Sequence, residues 1–205
     1  MVMCGRYWID DGRESIELKE IIEAVNRRVL VEPVKTAGEI FPADIVPVVA
    51  NNKSMVPTAF AMQWGYTLPD GRRIINARSE TAETKPMFAD GMRQRRCAVP
   101  ATNYFEWERA GKAKTKYAIR PTDGALFYMA GIYRIESGMP VFSILTREPA
   151  ESIAFIHDRM PVILPRDLVR DWTNPNCRAG EILCHAVLDL SHEKAEGTEQ
   201  IRMTL

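Results

Sequence analysis

Residues 97–146 read CAVPATNYFE WERAGKAKTK YAIRPTDGAL FYMAGIYRIE SGMPVFSILT. Five extended segments lie in this stretch: Cys97 to Pro100, Tyr104 to Glu108, Lys116 to Pro121, Leu126 to Arg134 and Val141 to Thr146. Turns holding Gly111, Gly124 and Gly138 separate them. Short strands at this regularity predict a curled, mostly antiparallel sheet or partial β-barrel. Upstream, Cys4 to Ile9 reads as a strand broken by Asp10-Asp11-Gly12. A helix then follows from about Glu14 to Arg28, with Leu18, Ile21, Ile22 and Val25 on one apolar face. Four breakers (Pro33, Gly38, Pro42, Pro47) make the segment from Val31 to Pro47 an irregular loop. Strands at Ile45 to Ala50 and Pro57 to Trp64 flank the Asn51-Asn52-Lys53-Ser54 turn, and Gly65 ends the second. Extended structure resumes at Arg72 to Ala77, and Ser79 to about Arg93 reads as a helix interrupted at Pro86. Downstream, helices are expected at about Ala150 to Ile156 and Pro165 to Thr173, and a last strand at Cys184 to Leu190. No internal repeat and no linker divides the chain. The class is α+β, a single domain with flanking helices.

Bulk properties narrow the function. The 205 residues suffice for one sizeable core, and 46% are hydrophobic against 26% charged. Formal net charge is zero, so no global field steers the protein onto nucleic acid, and DNA binding must come from a local patch. No apolar run reaches the length of a bilayer span, and the N-terminus lacks the basic-then-apolar pattern of a secretory signal. The expectation is a cytoplasmic protein. Four cysteines (Cys4, Cys97, Cys177, Cys184) have no disulfide-scaffold spacing. Cys177, Cys184, His185 and His192 do not match zinc-ligand pairs, so no metal and no cofactor is expected.

The start, Met1-Val2-Met3-Cys4-Gly5-Arg6-Tyr7, carries distinctive chemistry. A cysteine at a freed N-terminus offers a thiol and an α-amine on neighbouring carbons. The amine condenses with an aldehyde, and the thiol closes a five-membered ring on the same carbon. With reference pKa values of about 8.5 and about 7.7–8.0, both groups benefit from a nearby base. The plainer reading makes Cys4 a small buried residue opening the first strand. Three further places hold polar residues against apolar surroundings. Asn76 follows Ile74-Ile75, where it either caps a turn or serves a site. Glu106 lies between Phe105 and Trp107; alternation turns it either to solvent or inward, where burial raises its pKa and makes it a usable proton carrier. His157 precedes Asp158-Arg159-Met160-Pro161, at the end of an expected helix.

Taken together, Met3-Cys4-Gly5-Arg6, Trp64-Gly65, Asn76-Ala77-Arg78-Ser79-Glu80, Phe105-Glu106-Trp107 and Ile156-His157-Asp158-Arg159-Met160-Pro161 resemble the SRAP family, the SOS-response-associated peptidases. The resemblance runs from Met3 to about Trp172. It implies the SRAP fold and a covalent bond between an exposed N-terminal cysteine and the aldehyde of an abasic site in single-stranded DNA. The implied thiazolidine adduct shields the lesion, and the same site removes the residues before the cysteine. Cys4 is then the nucleophile, Asn76 a hydrogen-bonding anchor for amine or sugar, Glu106 the base, and His157 the proton shuttle for sugar ring opening and adduct reversal. Arg6, Arg78 and Arg159 are the implied phosphate ligands, and Trp64 either stacks on a base or fills the core.

The cysteine stands fourth rather than second, so three routes would free it. Translation could begin at Met3, the leading Met1-Val2 could be foreign to the native chain, or self-processing could remove three residues. The expected partner is single-stranded DNA with abasic sites, bound by a monomer in the cytoplasm and at the nucleoid. Two other readings stay open: a cysteine-dependent peptidase on other substrates, and a non-covalent reader of modified or single-stranded DNA.

Overall fold

The computed structural model describes residues 5–13, 15–27, 33–110, 113–124 and 126–196. Cys4 lies outside the described residues. In chain order the elements begin with β1 (Arg6–Ile9), α1 (Ile16–Asn26), β2 (Gly38–Ile40), β3 (Ile45–Asn51) and β4 (Pro57–Trp64). They continue with β5 (Tyr66–Thr67), β6 (Arg73–Ile74), β7 (Asn76–Arg78), α2 (Ser79–Ala82) and α3 (Pro86–Gln94). The central strands are β8 (Arg96–Ala101), β9 (Asn103–Ala110), β10 (Ala113–Pro121), β11 (Phe127–Glu136) and β12 (Met139–Arg147). The last part holds β13 (Met160–Pro161), β14 (Ile163–Leu164), α4 (Val169–Thr173), α5 (Ala179–Leu183) and β15 (Leu190–Lys194).

Five strands close on themselves. Pairing runs β12, β4, β3, β8, β11 and back to β12, which makes a barrel without free edges among those strands. The closing hairpin is β11–β12, whose Ser137-Gly138 turn has φ of 49° and 85°, the left-handed pair that matches strand twist. Where β8, β11 and β12 run side by side, Gly131 lies opposite both Cys97 and Ile144. A Cβ at Gly131 would come within 2.9 Å of the Cys97 sulfur, so only glycine fits this approach. The interior is filled by Val46, Val48, Met62, Trp64, Met129, Phe142 and Ile144, all essentially inaccessible. Burying a side chain such as Phe142 or Ile144 contributes about 1.5–3 kcal/mol.

A second, antiparallel sheet runs β15–β10–β9–β1–β2. Its register sets Tyr7 opposite Tyr104, Tyr104 opposite Ile119, and Glu106 opposite Tyr117. Successive side chains alternate between faces, so these residues share one face. Tyr7, Tyr104 and Ile119 on that face belong to the main core. The other face carries Arg6, Phe105, Trp107, Lys116 and Ala118.

Helix α1 starts where Ser15 Oγ accepts a hydrogen bond from the Leu18 N–H at 3.2 Å, and it buries Leu18 and Val25. Helices α2 and α3 are split at Pro86 as the sequence predicts, with the proline at the first helical position. Three expectations need correction. The segment from Val31 to Pro47 is not wholly irregular, because Gly38–Ile40 pairs with β1 as an edge strand. Only one 3-10 turn, Glu151–Ile153, forms within the helix expected over Ala150 to Ile156. Cys184 caps helix α5 instead of opening a strand, because Ala179 and Ile182 bury one helical turn apart and the Cys184 N–H bonds the Gly180 carbonyl at 3.3 Å; β15 starts only at Leu190.

Candidate active site

Glu106 is 2% exposed. It sits in mid-strand on the face shared by Tyr7, Tyr104 and Tyr117, so the alternation left open by sequence resolves inward. Strand β1 pairs with β9 through Arg6↔Phe105, and the buried Gly5 continues that line toward Glu106. The first described residue of the chain therefore arrives beside the carboxylate.

Asn76 opens β7, which lies parallel to β12 with Asn76 opposite Ile144 and Arg78 opposite Thr146. The other side of β12 takes β13, with Pro161 also opposite Thr146. Two distant motifs thus flank one residue. Arg159 locks them together: its two terminal nitrogens each donate to a Glu80 carboxylate oxygen at 2.7 Å, and one also donates to the Thr146 carbonyl at 2.7 Å. Burial leaves Arg159 9% exposed. The Arg159 bonds hold the Glu80 carboxyl below its ordinary range.

His157 precedes this clamp, with its side chain 9% exposed. Its Nδ1 accepts the Arg159 backbone N–H at 3.1 Å and lies 2.9 Å from Asp158 Oδ1. Two residues earlier, Phe155 meets the Tyr117 ring edge-on at 5.7 Å, and Tyr117 is the cross-strand neighbour of Glu106. A continuous line of contacts thus joins the segments bearing Glu106, His157 and Asn76.

The expected DNA ligands fare differently. Arg78 is exposed and has no ion pair among the described residues. Together with Asn76, Lys85, Met87 and Phe88 it lines an open groove of ≈ 700 Å³. Arg6 is instead buried at 5% exposure, with Nη1 3.3 Å from Glu39 and its guanidinium over Phe41 and Trp107 at 4.7 and 5.3 Å. Lys116 shares the same Glu39 at 2.8 Å and sits 3.9 Å over Phe105. Two cations on one carboxylate leave that cluster with one positive charge in surplus. Arg159 is a strut, not an open fork, for both terminal nitrogens are engaged by Glu80.

Trp64 is the clear correction. It is wholly buried, its indole N–H donates to the Ile75 carbonyl at 3.1 Å, and its ring meets Tyr7 edge-on at 5.2 Å. Of its two expected readings, the core one holds, because no face is left for a base. It supports the site from beneath, since Ile75 directly precedes Asn76. Gly65 then turns the chain at φ 107° with its N–H on the Phe142 carbonyl.

Sequence reasoning assigned no role to Glu80, Asp158, Glu39 or Lys116. Glu80 was visible at a fixed offset from Asn76, and Asp158 by its adjacency to His157. Nothing in the sequence joins Glu39 to Lys116. Among the remaining cysteines, Cys97 is buried and burial pushes its thiol far up, so it is a poor nucleophile. Arg96 is buried over Trp172 with a bond to the Cys177 carbonyl at 2.8 Å.

Fold and site together define a class: a single-domain α+β protein with a closed five-stranded barrel, a carboxylate buried on the strand that pairs with β1, and the segments bearing Asn76 and His157 tied by the Arg159–Glu80 clamp. Residues 3–199 match the family described as SOS response associated peptidase (SRAP), and the chain belongs to that family. It is 35% identical to the abasic site processing protein YoaM of Bacillus subtilis over 147 residues, covering 66% of this chain and 65% of YoaM. It is 32% identical to the abasic site processing protein YoqW of the same organism over 190 residues, covering 84% of this chain and 81% of YoqW. A phage-related protein from Bordetella bronchiseptica superposes with a TM-score of 0.73 at 26% identity, over 95% of each chain. No helix among the described residues is long and apolar enough to cross a membrane.

Proposed function

We propose that this protein, acting as a monomer, binds single-stranded DNA at abasic sites and links to them covalently through Cys4, once the residues before it are removed. The observation that carries this reading is the burial of Glu106 beside the β1 strand that begins two residues after Cys4. A carboxylate there accepts a proton from the α-ammonium, giving the neutral amine that attacks an aldehyde. Condensation releases water and leaves an imine; addition of the Cys4 sulfur to its carbon, with a proton passing to nitrogen, completes the thiazolidine. An abasic sugar is mostly a closed hemiacetal, so ring opening needs an acid and a base, the role given to His157. Asn76 orients amine or sugar by hydrogen bonds. Arg78 contacts phosphate along its groove, with the exposed Lys85 beside it as a second cation for the strand. Autoproteolytic removal of the leading residues would use the same base and nucleophile. The names of the curated relatives, abasic site processing proteins, agree with this substrate.

The test is incubation with a single-stranded oligonucleotide carrying one abasic site. A DNA band shift that survives denaturant is expected for protein whose intact mass places Cys4 first, and its loss is expected for Cys4→Ala. Binding that persists in Cys4→Ala with no adduct in either form would instead identify a non-covalent reader.

A further inference from the structure

His157 Nδ1 faces two partners that demand opposite things of it. The Arg159 backbone N–H, at 3.1 Å, needs a lone pair on Nδ1. The Asp158 carboxylate, at 2.9 Å, needs a proton there. A neutral imidazole carries one N–H, so it satisfies only one of the two at a time. Facing Arg159, the proton sits on Nε2 and the ring can only give it away. Facing Asp158, the proton sits on Nδ1 and Nε2 carries the lone pair of a base.

We propose that Asp158 is a positioning residue that selects the Nδ1–H tautomer of His157, so that Nε2 alternates between acid and base. This rests on the reading of His157 as the proton carrier. The imidazolium gives its Nε2 proton to a substrate oxygen, and the ring left behind is the Nδ1–H form held by Asp158. Nε2 then takes the next proton without a ring flip.

The surroundings are built for such a choice. The Arg159 N–H is held in place because its own side chain is fixed by Glu80 and Thr146. Asp158 is exposed and has no other ion pair among the described residues. Its hydrogen bond to the ring is charge-assisted, stronger than the neutral one offered by the backbone. Removing Asp158 leaves the fixed N–H as the remaining one of these two claims and favours the proton on Nε2. The side chain is at the surface, so its replacement does not endanger the fold.

The experiment compares the wild-type protein with Asp158→Ala and Asp158→Asn by nitrogen-15 NMR of the histidine rings, without DNA, at a pH where His157 is neutral. Expected are a substantial Nδ1–H population in the wild type, its collapse to Nε2–H in Asp158→Ala, and partial retention in Asp158→Asn, whose amide oxygen still accepts. Adduct formation with the abasic oligonucleotide slows by roughly tenfold in Asp158→Ala, a part of the 10²–10⁴ typical of acid–base groups, with oligonucleotide affinity unchanged. The same tautomer in wild type and Asp158→Ala, or an unchanged rate, overturns the proposal. If the wild type forms no adduct, the functional reading fails while the tautomer comparison still decides this one.

Discussion

At the scale of single residues, Glu106 bears the heaviest demand. Its carboxylate is 2% exposed in a neighbourhood of tyrosines, which is costly unless the group is used or satisfied. Glu106→Gln keeps the shape and the hydrogen-bonding reach but cannot accept a proton from an ammonium. We expect adduct formation under single-turnover conditions to fall by about 10²–10⁴, with the circular dichroism spectrum retained. A loss under about tenfold would give the base role to another group. The inward turn of Glu106 was not legible beforehand for a physical reason. Tyr104, Phe105 and Trp107 put large aromatics on both faces of the strand, so alternation alone did not say which face was the core. Trp64 had the converse problem: its motif suggested a ligand, whereas its indole N–H is used up on the Ile75 carbonyl.

At the scale of elements, the clamp between Arg159 and Glu80 ties the loop after the 3-10 turn to the segment after β7. The fivefold run of strands from β8 to β12 was legible in sequence because glycine turns punctuate it and each strand is long. Shorter pieces were not: β2 has three residues, and α5 has five. Local pattern is weak at that length, and tertiary pairing decides. The clamp joins residues 79 positions apart, which no local rule reaches. Its effect on stability depends on pH in a definite direction. Arg159 holds the Glu80 carboxyl below its ordinary value, so the folded state favours the charged form. That contribution is present above the ordinary glutamate pKa of about 4.3 and is lost as pH falls through the lower, folded value. Glu80 is about half exposed, so solvent screening limits the contribution to about 1 kcal/mol. Glu80→Gln should therefore melt earlier than wild type at pH 7, and the gap should close as the pH drops below about 4.3. Thermal melts across that range check this; a gap that widens in acid would remove the clamp from the account.

At the scale of the whole molecule, a neutral protein that engages a polyanion must do so with few charges. Net charge is zero, and of the three motif arginines only Arg78 reaches solvent unpaired among the described residues. Lys85, exposed in the same groove, is a second open cation. Arg6 and Arg159 already have carboxylate partners, so moving either onto a phosphate releases a glutamate as well as counterions, and their net gain is small. Each phosphate neutralised on a single strand contributes a slope of about −0.7 to log affinity against log salt. Two open cations thus give about −1.4, a shallow dependence that suits recognition by covalent chemistry more than by field strength. Arg78→Ala should weaken non-covalent binding to undamaged single-stranded DNA and flatten the slope by about 0.7. It should leave the adduct, once formed, stable to salt, because the thiazolidine bond does not depend on ions. Fluorescence anisotropy over a salt series, with Cys4→Ala as the background to prevent linkage, measures the slope. A slope about twice as steep, near −2.8, would mean that Arg6 and Arg159 leave their glutamates to meet the DNA.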